Sequence, residues 1–438
     1  MNAGLVILIV GLIFGFIIIG VPVYAGLGTA GIIGLILLQG KLTAVAGSAM
    51  IAVPQSIFAG IGYFPLLAIP FYVLAGEIMN RGQITDRLIR FSIMLIGRVP
   101  GALAHANILA SLFFGGITGS AQADTSAVGG VMIPAMVKQG YSKEFSVAVT
   151  AASSTMGPII PPSIMMVMYG VTVGCSIGAL FMAGFIPGLL VAIAEILIVI
   201  LLNRKYKFPV TTEKISRAEK IAISKHAIYP LGMPIIIVGG IVSGIVTPTE
   251  AGVVSVVYSL IISKFVLKTI QWKDLTEMLL HTATLSAGIM MIISGAKIAS
   301  YALTGLQLSN MMAELFLQIS SSPYVFLLLV NILLLIMGMF MDGGASVLLL
   351  APILTPIALS LGINVIHFGL VMVLNLVIGL GTPPLGQCVY IASGIAGISV
   401  SRGFRGMLPF LVAEVAVLML VTYLPDLILF IPRVLGYV

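Results

Sequence analysis

Charge is the scarcest property of this 438-residue chain: Asp, Glu, Lys and Arg make up 8% of it, against 60% for the hydrophobic types. Soluble domains carry about a quarter charged residues, so a soluble globular protein is excluded. Polar stretches are scarce too. The longest strongly polar one runs only from Asn203 to Lys225, which leaves no room for a hidden soluble domain. Cysteine is nearly absent: Cys175 and Cys388 lack the spacing of a disulfide framework or a metal motif and read as small packing residues. The start, Met1-Asn2-Ala3-Gly4, has no basic residues, and the apolar run behind it continues into the next, so no cleaved secretion signal is expected. Nor does the net charge of +7 point to nucleic acid, because the Lys and Arg sit in short loops between apolar runs. That is the pattern of a polytopic membrane protein whose basic loops face the cytoplasm. At about 20 residues per crossing, the chain has room for ten or so spans.

What is present is a pair of helix-breaking clusters inside apolar surroundings. The first segment, Phe113 to Ser163, opens on Gly115-Gly116-Ile117-Thr118-Gly119-Ser120-Ala121-Gln122-Ala123-Asp124-Thr125-Ser126. It closes on Ser153-Ser154-Thr155-Met156-Gly157-Pro158-Ile159-Ile160-Pro161-Pro162-Ser163. In hydrocarbon an unsatisfied backbone group costs several kcal/mol, so broken backbone survives there only where it is buried in protein or lines a cavity.

The second half repeats this plan. Pro22, Ala25 and Gly26 return as Pro248, Ala251 and Gly252, and Pro100 returns as Pro323. Asp124 followed by Pro134 is matched with Asp342 followed by Pro352. Gly140 followed by Pro161-Pro162 returns as Gly362 followed by Pro383-Pro384. The sequence thus divides into a first repeat, 1–225, with a hairpin at about 101–137 and a broken helix at about 144–172, and a second, 226–438, with a hairpin at about 323–361 and a broken helix at about 365–398. Such duplications in transporters commonly relate two halves by a pseudo-two-fold axis in the membrane plane.

Charge tests whether the copy is inverted. If the first hairpin enters from the cytoplasm and the second from outside, all of the 21 basic residues except Lys41, Lys297 and Arg433 fall on the cytoplasmic side. The basic stretch 80–98 has as its copy 304–322, which contains no Lys or Arg. An inverted copy should show that loss. The expected architecture is an all-α polytopic membrane protein with two inverted repeats, about ten transmembrane helices, two re-entrant helical hairpins and both termini outside. Apolar positions Leu88, Phe91 and Leu95, and Leu308, Met311, Met312, Leu315 and Phe316, predict that 80–98 and 304–322 are helices along the membrane surface.

Each half therefore supplies a hairpin tip and an interrupted span. Proline removes a backbone donor and glycine relieves the backbone, so neither Gly157 to Ser163 nor Gly379-Leu380-Gly381-Thr382-Pro383-Pro384-Leu385-Gly386 stays helical. Freed carbonyls and nearby hydroxyls are hard oxygen ligands suited to a small alkali cation, while half-helix N-termini suit an anion. Sodium is the expected coupling ion, with one site per half. The first draws on Ser120, Asp124, Thr125, Ser126, Thr155 and Gly157, the second on Asp342, Gly343, Ser346, Asn375, Gly379, Gly381 and Thr382. Ser153, Ser154, Pro161, Pro162, Ser163, Pro383 and Pro384 are the candidates for contact with substrate. Protons are the alternative, but proton relays use chains of buried acids and histidines, which are few here.

The plainer readings of the same residues are structural. Asp124 and Asp342 both fit N-caps of the second hairpin arm, and Ser153, Ser154 and Thr155 can bond back to carbonyls. Glu77, Glu195 and Glu414 read as pairing across helices or facing a partner subunit. Lys297 reads as snorkelling or paired. His105 and His367 read as packing residues, and Met165, Met166 and Met168 as adaptable packing beside the break. An intramembrane protease would need Asp124 and Asp342 facing one another, usually in a Gly-x-Gly-Asp context that is absent.

The tip Gly116-Ile117-Thr118-Gly119-Ser120-Ala121-Gln122-Ala123-Asp124, the break Gly157-Pro158-Ile159-Ile160-Pro161-Pro162-Ser163 and Gly381-Thr382-Pro383-Pro384 resemble the large membrane subunit of tripartite ATP-independent periplasmic (TRAP) transporters. The resemblance covers essentially the whole chain. It implies an elevator-type, sodium-coupled importer of organic acids such as sialic acid or C4-dicarboxylates in the bacterial inner membrane, not an enzyme. It also implies two partners: a separate small membrane subunit of about four helices and a periplasmic binding protein that delivers substrate. The runner-up is a stand-alone citrate or dicarboxylate symporter of the related inverted-hairpin families. Their tips carry a Ser-Asn-Thr type of motif, from which Thr118-Gly119-Ser120 and Met341-Asp342-Gly343 depart.

Overall fold

The structure is a computed structural model that describes residues 2–38, 49–210, 215–308, 311, 314 and 322–437. Among them the chain is helical throughout. The first half holds α1 (Asn2–Ile18), α2 (Val23–Leu38), α3 (Ala49–Ile61), α4 (Ala68–Arg81), α5 (Ile84–Ile96), α6 (Ala102–Thr118), α7 (Ala121–Lys138), α8 (Lys143–Ser153), α9 (Ile164–Val173) and α10 (Ile177–Tyr206). The second holds α11 (Arg217–Val242), α12 (Pro248–Leu260), α13 (Trp272–Gly305), α14 (Pro323–Phe340), α15 (Gly343–Ser360), α16 (Val365–Gly379), α17 (Gln387–Ala396), α18 (Val400–Tyr423) and α19 (Pro425–Val434). Among the described residues seven helices are long and apolar enough to cross a bilayer, and shorter apolar helices accompany them. Large apolar side chains lie exposed along the outside, as on α10 at Leu189, Ile193, Leu197 and Leu201. A surface of that kind is compatible with lipid and not with water.

The apolar run 50–78 is not one helix. Gly62 and Pro65 end α3, and a short 3-10 turn at Phe64–Leu67 leads into α4. The stretch 80–98 contains the helix α5, whose buried side is Ile84, Leu88 and Ile89, with Leu95 exposed. Of its expected copy, Leu308 and Met311 are described, while Met312, Leu315 and Phe316 lie outside the described residues, as does Lys41.

Two hairpins and two interrupted helices make up the centre. α6 and α7 form the first hairpin, turning at Gly119-Ser120, and α14 and α15 form the second, turning at Met341-Asp342. Between α8 and α9 the chain runs through a 3-10 turn, Ser154–Met156, and an irregular stretch to Ser163. Between α16 and α17 it is irregular from Leu380 to Gly386. Both Pro161-Pro162 and Pro383-Pro384 are joined by cis peptide bonds. The elements recur at a nearly fixed separation: α7 starts at Ala121 and α15 at Gly343, α8 at Lys143 and α16 at Val365, α9 at Ile164 and α17 at Gln387.

That register changes one assignment made from the sequence. Asp124 was matched with Asp342, but α7 and α15 align Asp342 with Ser120, each the N-cap of its helix, and Asp124 with Ser346, each in the first turn and buried. The cause is local. Both tips need one side-chain oxygen to hold free N–H groups, a task done by serine in one half and aspartate in the other. The cap reading therefore holds for Asp342 and not for Asp124.

Packing sorts the helices into two groups. α13 packs along α2, α3 and α4, and α4 along α12. Gly31 lets α2 touch α13 backbone to backbone, since a Cβ there would come within 2.7 Å of the Ala299 nitrogen. Tyr72 of α4 donates to the Pro248 carbonyl at 2.6 Å. The hairpins, interrupted helices, α10 and α18 form the other group.

Candidate functional site

A cavity of about 570 Å³ lies where the two groups meet. Its one wall is α4, through Val73, Gly76, Glu77 and Asn80, with α13, through His281, Leu285 and Ile289. Its other wall is the first tip (Thr118, Gly119, Ser120, Gln122, Ala123, Ser126), the first break and its sequel (Pro158, Ile164, Met165, Met168) and the second tip (Asp342, Gly343, Gly344). Both tips, more than 200 residues apart in the chain, thus reach one space. None of the lining residues is Lys or Arg. Arg81 is drawn aside by Glu277, which its two terminal nitrogens reach at 2.9 and 2.7 Å, while Glu77 is met by Arg81 and by His281, both at 3.3 Å.

At the first tip, Ser120 Oγ accepts from the Ala123 nitrogen at 3.3 Å and donates to Gln122 Oε1 at 3.2 Å. Gln122 Nε2 in turn donates to Gln387 Oε1 at 2.7 Å, tying this tip to the start of α17. Ser126 is exposed in the cavity. Thr125 is buried and donates to the Ala121 carbonyl at 2.8 Å.

Asp124 is the unusual residue. It is 0% exposed, and among the described residues neither of its carboxylate oxygens receives a well-formed hydrogen bond. The Ser111 and Ser154 hydroxyls stand beside it. They are engaged elsewhere, Ser111 with Ser153 at 3.1 Å and Ser154 with the Thr150 carbonyl at 2.8 Å. Glu195 and Glu414 lie buried in the same interior, so neither faces a partner subunit, and Glu414 pairs across elements as expected. Glu414 Oε1 accepts from Thr155 at 3.0 Å; its other oxygen and both oxygens of Glu195 have no donor among the described residues. Glu195 would be repelled by Glu414 and Asp124 if all three were ionised. No basic side chain pairs with any of the three among the described residues.

The rest of the first break sits behind the tip. Gly157 lies against Gly115 and the Ser120 backbone, where a Cβ would meet atoms at 3.1 Å. Pro161, Pro162 and Ser163 are buried and do not line the cavity. Ser163 caps α9, accepting from the Met166 nitrogen at 3.2 Å and donating to the Pro158 carbonyl. The hydroxyls of Ser153 and Ser154 point into the hairpin packing described above.

In the second half Asp342 Oδ1 accepts from the Gly344 and Ala345 nitrogens at 3.0 and 3.3 Å. Gly343 lines the cavity against Met165. Ser346 and Asn375 are buried, and Ser346 Oγ and Asn375 Oδ1 have no donor or acceptor partner. Asn375 Nδ2 donates to Asn331 Oδ1 at 2.8 Å, and Asn331 to Thr422 at 3.0 Å. Gly379 packs on Gly338 so closely that a Cβ would come within 2.4 Å of the Gly338 carbonyl carbon. Gly381 is buried against Met407, and Thr382 donates to the Ile378 carbonyl at 2.8 Å. Pro383 and Pro384 are exposed and lie off the cavity. The structure thus brings Ser120, Ser126, Asp342 and Gly343 to the cavity, with Asp124 buried just behind the first tip, and leaves the four proline candidates out of it. Sequence reasoning had no signal for the α4 and α13 wall or for Gln122 and Gln387, because those contacts join distant segments.

Residues 10–427 match the family model "Tripartite ATP-independent periplasmic transporter, DctM component". The chain is 42% identical over 384 residues to the sialic acid TRAP transporter large permease protein SiaM of Vibrio cholerae, covering 87% of this chain and 90% of that one. To the C4-dicarboxylate TRAP transporter large permease protein DctM of Pseudomonas aeruginosa it is 39% identical, covering 85% and 87%. The YdaH transporter of Alcanivorax borkumensis superposes with a TM-score of 0.59 at 16% identity, over 87% of this chain and 89% of that one, which speaks for the fold alone. The cavity between two helix groups, the paired tips and breaks, and a family match along almost the whole length lead to one conclusion: this chain belongs to the DctM family, the large permease components of tripartite ATP-independent periplasmic transporters, and is a multi-pass membrane protein rather than an enzyme.

Proposed function

We propose that the chain is the permease of a sodium-coupled importer that carries an organic acid anion across a bacterial inner membrane. The observation that carries this reading is Asp124. A buried carboxylate without a donor or a positive partner is costly in a low-dielectric interior, and a bound cation removes that cost. The Ser111, Ser154 and Thr155 hydroxyls beside the acids supply neutral oxygens of the kind a sodium ion takes. In the second half Asp342, Ser346, Asn375 and Thr382 offer a comparable oxygen set, carried by the hairpin and the interrupted helix that meet at the Gly338–Gly379 contact.

The cavity supports an anion through the same ions. With no Lys or Arg in its walls and with Asp342 and Glu77 facing it, the positive charge that offsets a carboxylate comes from cations held beside the tips. A monoanion moving with two sodium ions carries one net positive charge, worth about 2.3 kcal/mol across 100 mV. That alone sustains a concentration ratio on the order of 50, before the sodium gradient is counted. Substrates of the sialic acid and C4-dicarboxylate classes, named for the relatives at 42% and 39% identity, are the first to test.

Movement follows from the packing. α1 to α4, α12 and α13 form a scaffold, and the hairpins with the interrupted helices slide against it as an elevator, presenting the cavity alternately to each side. The two halves are inverted repeats, with ten spans and two re-entrant hairpins. Substrate reaches the outer face from a periplasmic binding protein, and a small membrane subunit of about four helices holds the scaffold.

The test is uptake into proteoliposomes containing this chain and its two partner proteins, with sialic acid and succinate as trial substrates. Uptake that follows an imposed sodium gradient is expected. Uptake that persists without sodium and follows a proton gradient would overturn the coupling, and transport by this chain alone would favour a stand-alone symporter.

A further inference from the structure

Lys297 is the basic residue the transport reading leaves unused. It lies on α13, the scaffold helix whose His281, Leu285 and Ile289 line the large cavity. Farther along, α13 lines a second, small cavity of about 50 Å³ with Ile293, Ala296, Lys297 and Ser300. Positions 289, 293, 296 and 300 follow the three-and-four spacing of one helix face, so both cavities lie along one side of the helix, with Lys297 at its margin. At 1.5 Å per residue, Lys297 stands about 24 Å along the axis from His281. The opposite wall of the small cavity comes from the other helix group: Thr172 of α9, and Leu348 and Pro352 of α15, the second arm of the second hairpin.

Two features mark the lysine as more than a residue reaching for the membrane surface. Its stem is seated on α3 at Gly60, where a Cβ would come within 2.9 Å of Lys297 Cγ, so the missing side chain leaves room for it. It also has no ion pair or hydrogen bond among the described residues, although the Thr172 and Ser300 hydroxyls share its cavity. A half-buried ammonium without a counter-charge, beside two hydroxyls, is a receiver for a carboxylate.

We propose that Lys297, with Ser300 and Thr172, is a staging site for the carboxylate of the transported acid when the carrier is open to the outer side. This rests on the elevator and inverted-repeat reading above. In the present conformation the wall formed by α9 and α15 closes the site to a space the size of a single carboxylate group. When that wall moves along α13, the small cavity opens and the tips arrive beside Lys297. The two ends of the path then differ in charge. Anion is taken up next to a free lysine and released next to Glu77 and His281, where among the described residues no Lys or Arg lines the cavity.

The experiment uses the complete complex in oriented proteoliposomes, with sialic acid and succinate as probes. Lys297→Gln is expected to raise the KM for uptake from the outer face at least tenfold, to leave the sodium activation curve unchanged and to leave the KM for exchange from the inner face unchanged. Lys297→Arg is expected to stay within about threefold of the wild type. An unchanged outer KM in Lys297→Gln shows a lysine that only snorkels or meets lipid phosphate and overturns the proposal. An equal rise on both faces shows a packing role and overturns it too. A second readout does not depend on sodium-driven transport: Ala296→Cys, which lines the same small cavity and keeps the lysine, in a chain also carrying Cys175→Ser and Cys388→Ser, is alkylated from outside, with and without 10 mM probe acid (about ten times a typical upper KM). Protection by the acid is expected. Alkylation at the same rate with either acid as without refutes the site even where coupling to sodium has failed its own test.

Discussion

Asp124 is held in place by neighbours that do not satisfy it. Its helix is capped by Ser120, the Ser154 hydroxyl donates to the Thr150 carbonyl, and the carboxyls of Glu195 and Glu414 lie buried in the same interior. A ligand that binds only the folded state stabilises it by about 2.7 kcal/mol at a hundred times its dissociation constant. Purified protein should therefore melt at a higher temperature in sodium than in a large organic cation. Asp124→Asn should abolish much of that difference and reduce sodium-driven uptake by at least an order of magnitude, while the protein still reaches the membrane. An equal sodium shift in both proteins would remove Asp124 from the ion site. Asp342→Ala should act differently, because the residue is a helix cap: a loss of about 1 kcal/mol is expected from the cap alone. Asp342→Ser, which copies the other tip, should recover it. The check is the melting temperature of each in the absence of sodium. Thr155→Val leaves a buried glutamate without its one donor, a change that costs about 1–3 kcal/mol and is read in the same melting assay.

At the level of elements, each half joins a hairpin to an interrupted helix through glycines in contact. Gly115 meets Gly157, and Gly338 meets Gly379. This contact lets the break lie directly against the hairpin arm, so the freed backbone is buried against protein instead of lipid. Gly379→Ala puts a methyl group on backbone atoms that cannot swing away, and a loss of several degrees in melting temperature is expected. Gly130 lies on the exposed side of α7 with nothing within 4 Å of a built Cβ. Gly130→Ala should be neutral or stabilising by about 0.5–1 kcal/mol, since alanine is the better helix former. Equal effects from the two substitutions would show that the close contact does not matter. The interruption itself was legible in the order Gly-Pro-x-x-Pro-Pro, because proline and glycine act on their own backbone. The glycine contacts were not, since nothing in residue 338 says that residue 379 will lie on it.

For the whole molecule the question is sidedness. With the first hairpin opening to the cytoplasm, Lys143 at the start of α8 faces the cytoplasm and Tyr324 at the start of α14 faces outward; both are exposed. Single cysteines at 143 and 324, in a background without Cys175 and Cys388, should react with an impermeant reagent from opposite sides of the membrane. Labelling of both from one side would end the inverted arrangement. The experiment needs no substrate, so it separates topology from transport.

The sequence by itself determined that this chain lives in a bilayer, that it is helical, and where its helices are broken. Those properties follow from local composition: scarce charge, apolar runs of span length, and proline with glycine at fixed points. It also carried the family, because the tips and breaks are contiguous motifs. Only the tertiary structure decided which polar groups share a space. It separated the two aspartates into a cap and a buried acid, since the helix starts at Ala121 and Gly343 put Ser120, not Asp124, at the cap position that Asp342 fills in the other half. It placed Glu195 and Glu414 in the interior near Asp124, gathered the α4 and α13 wall around the cavity, and left Pro383 and Pro384 outside it. Contacts of that kind join segments far apart in the chain, and the pairwise geometry that selects them exists only once the helices have packed.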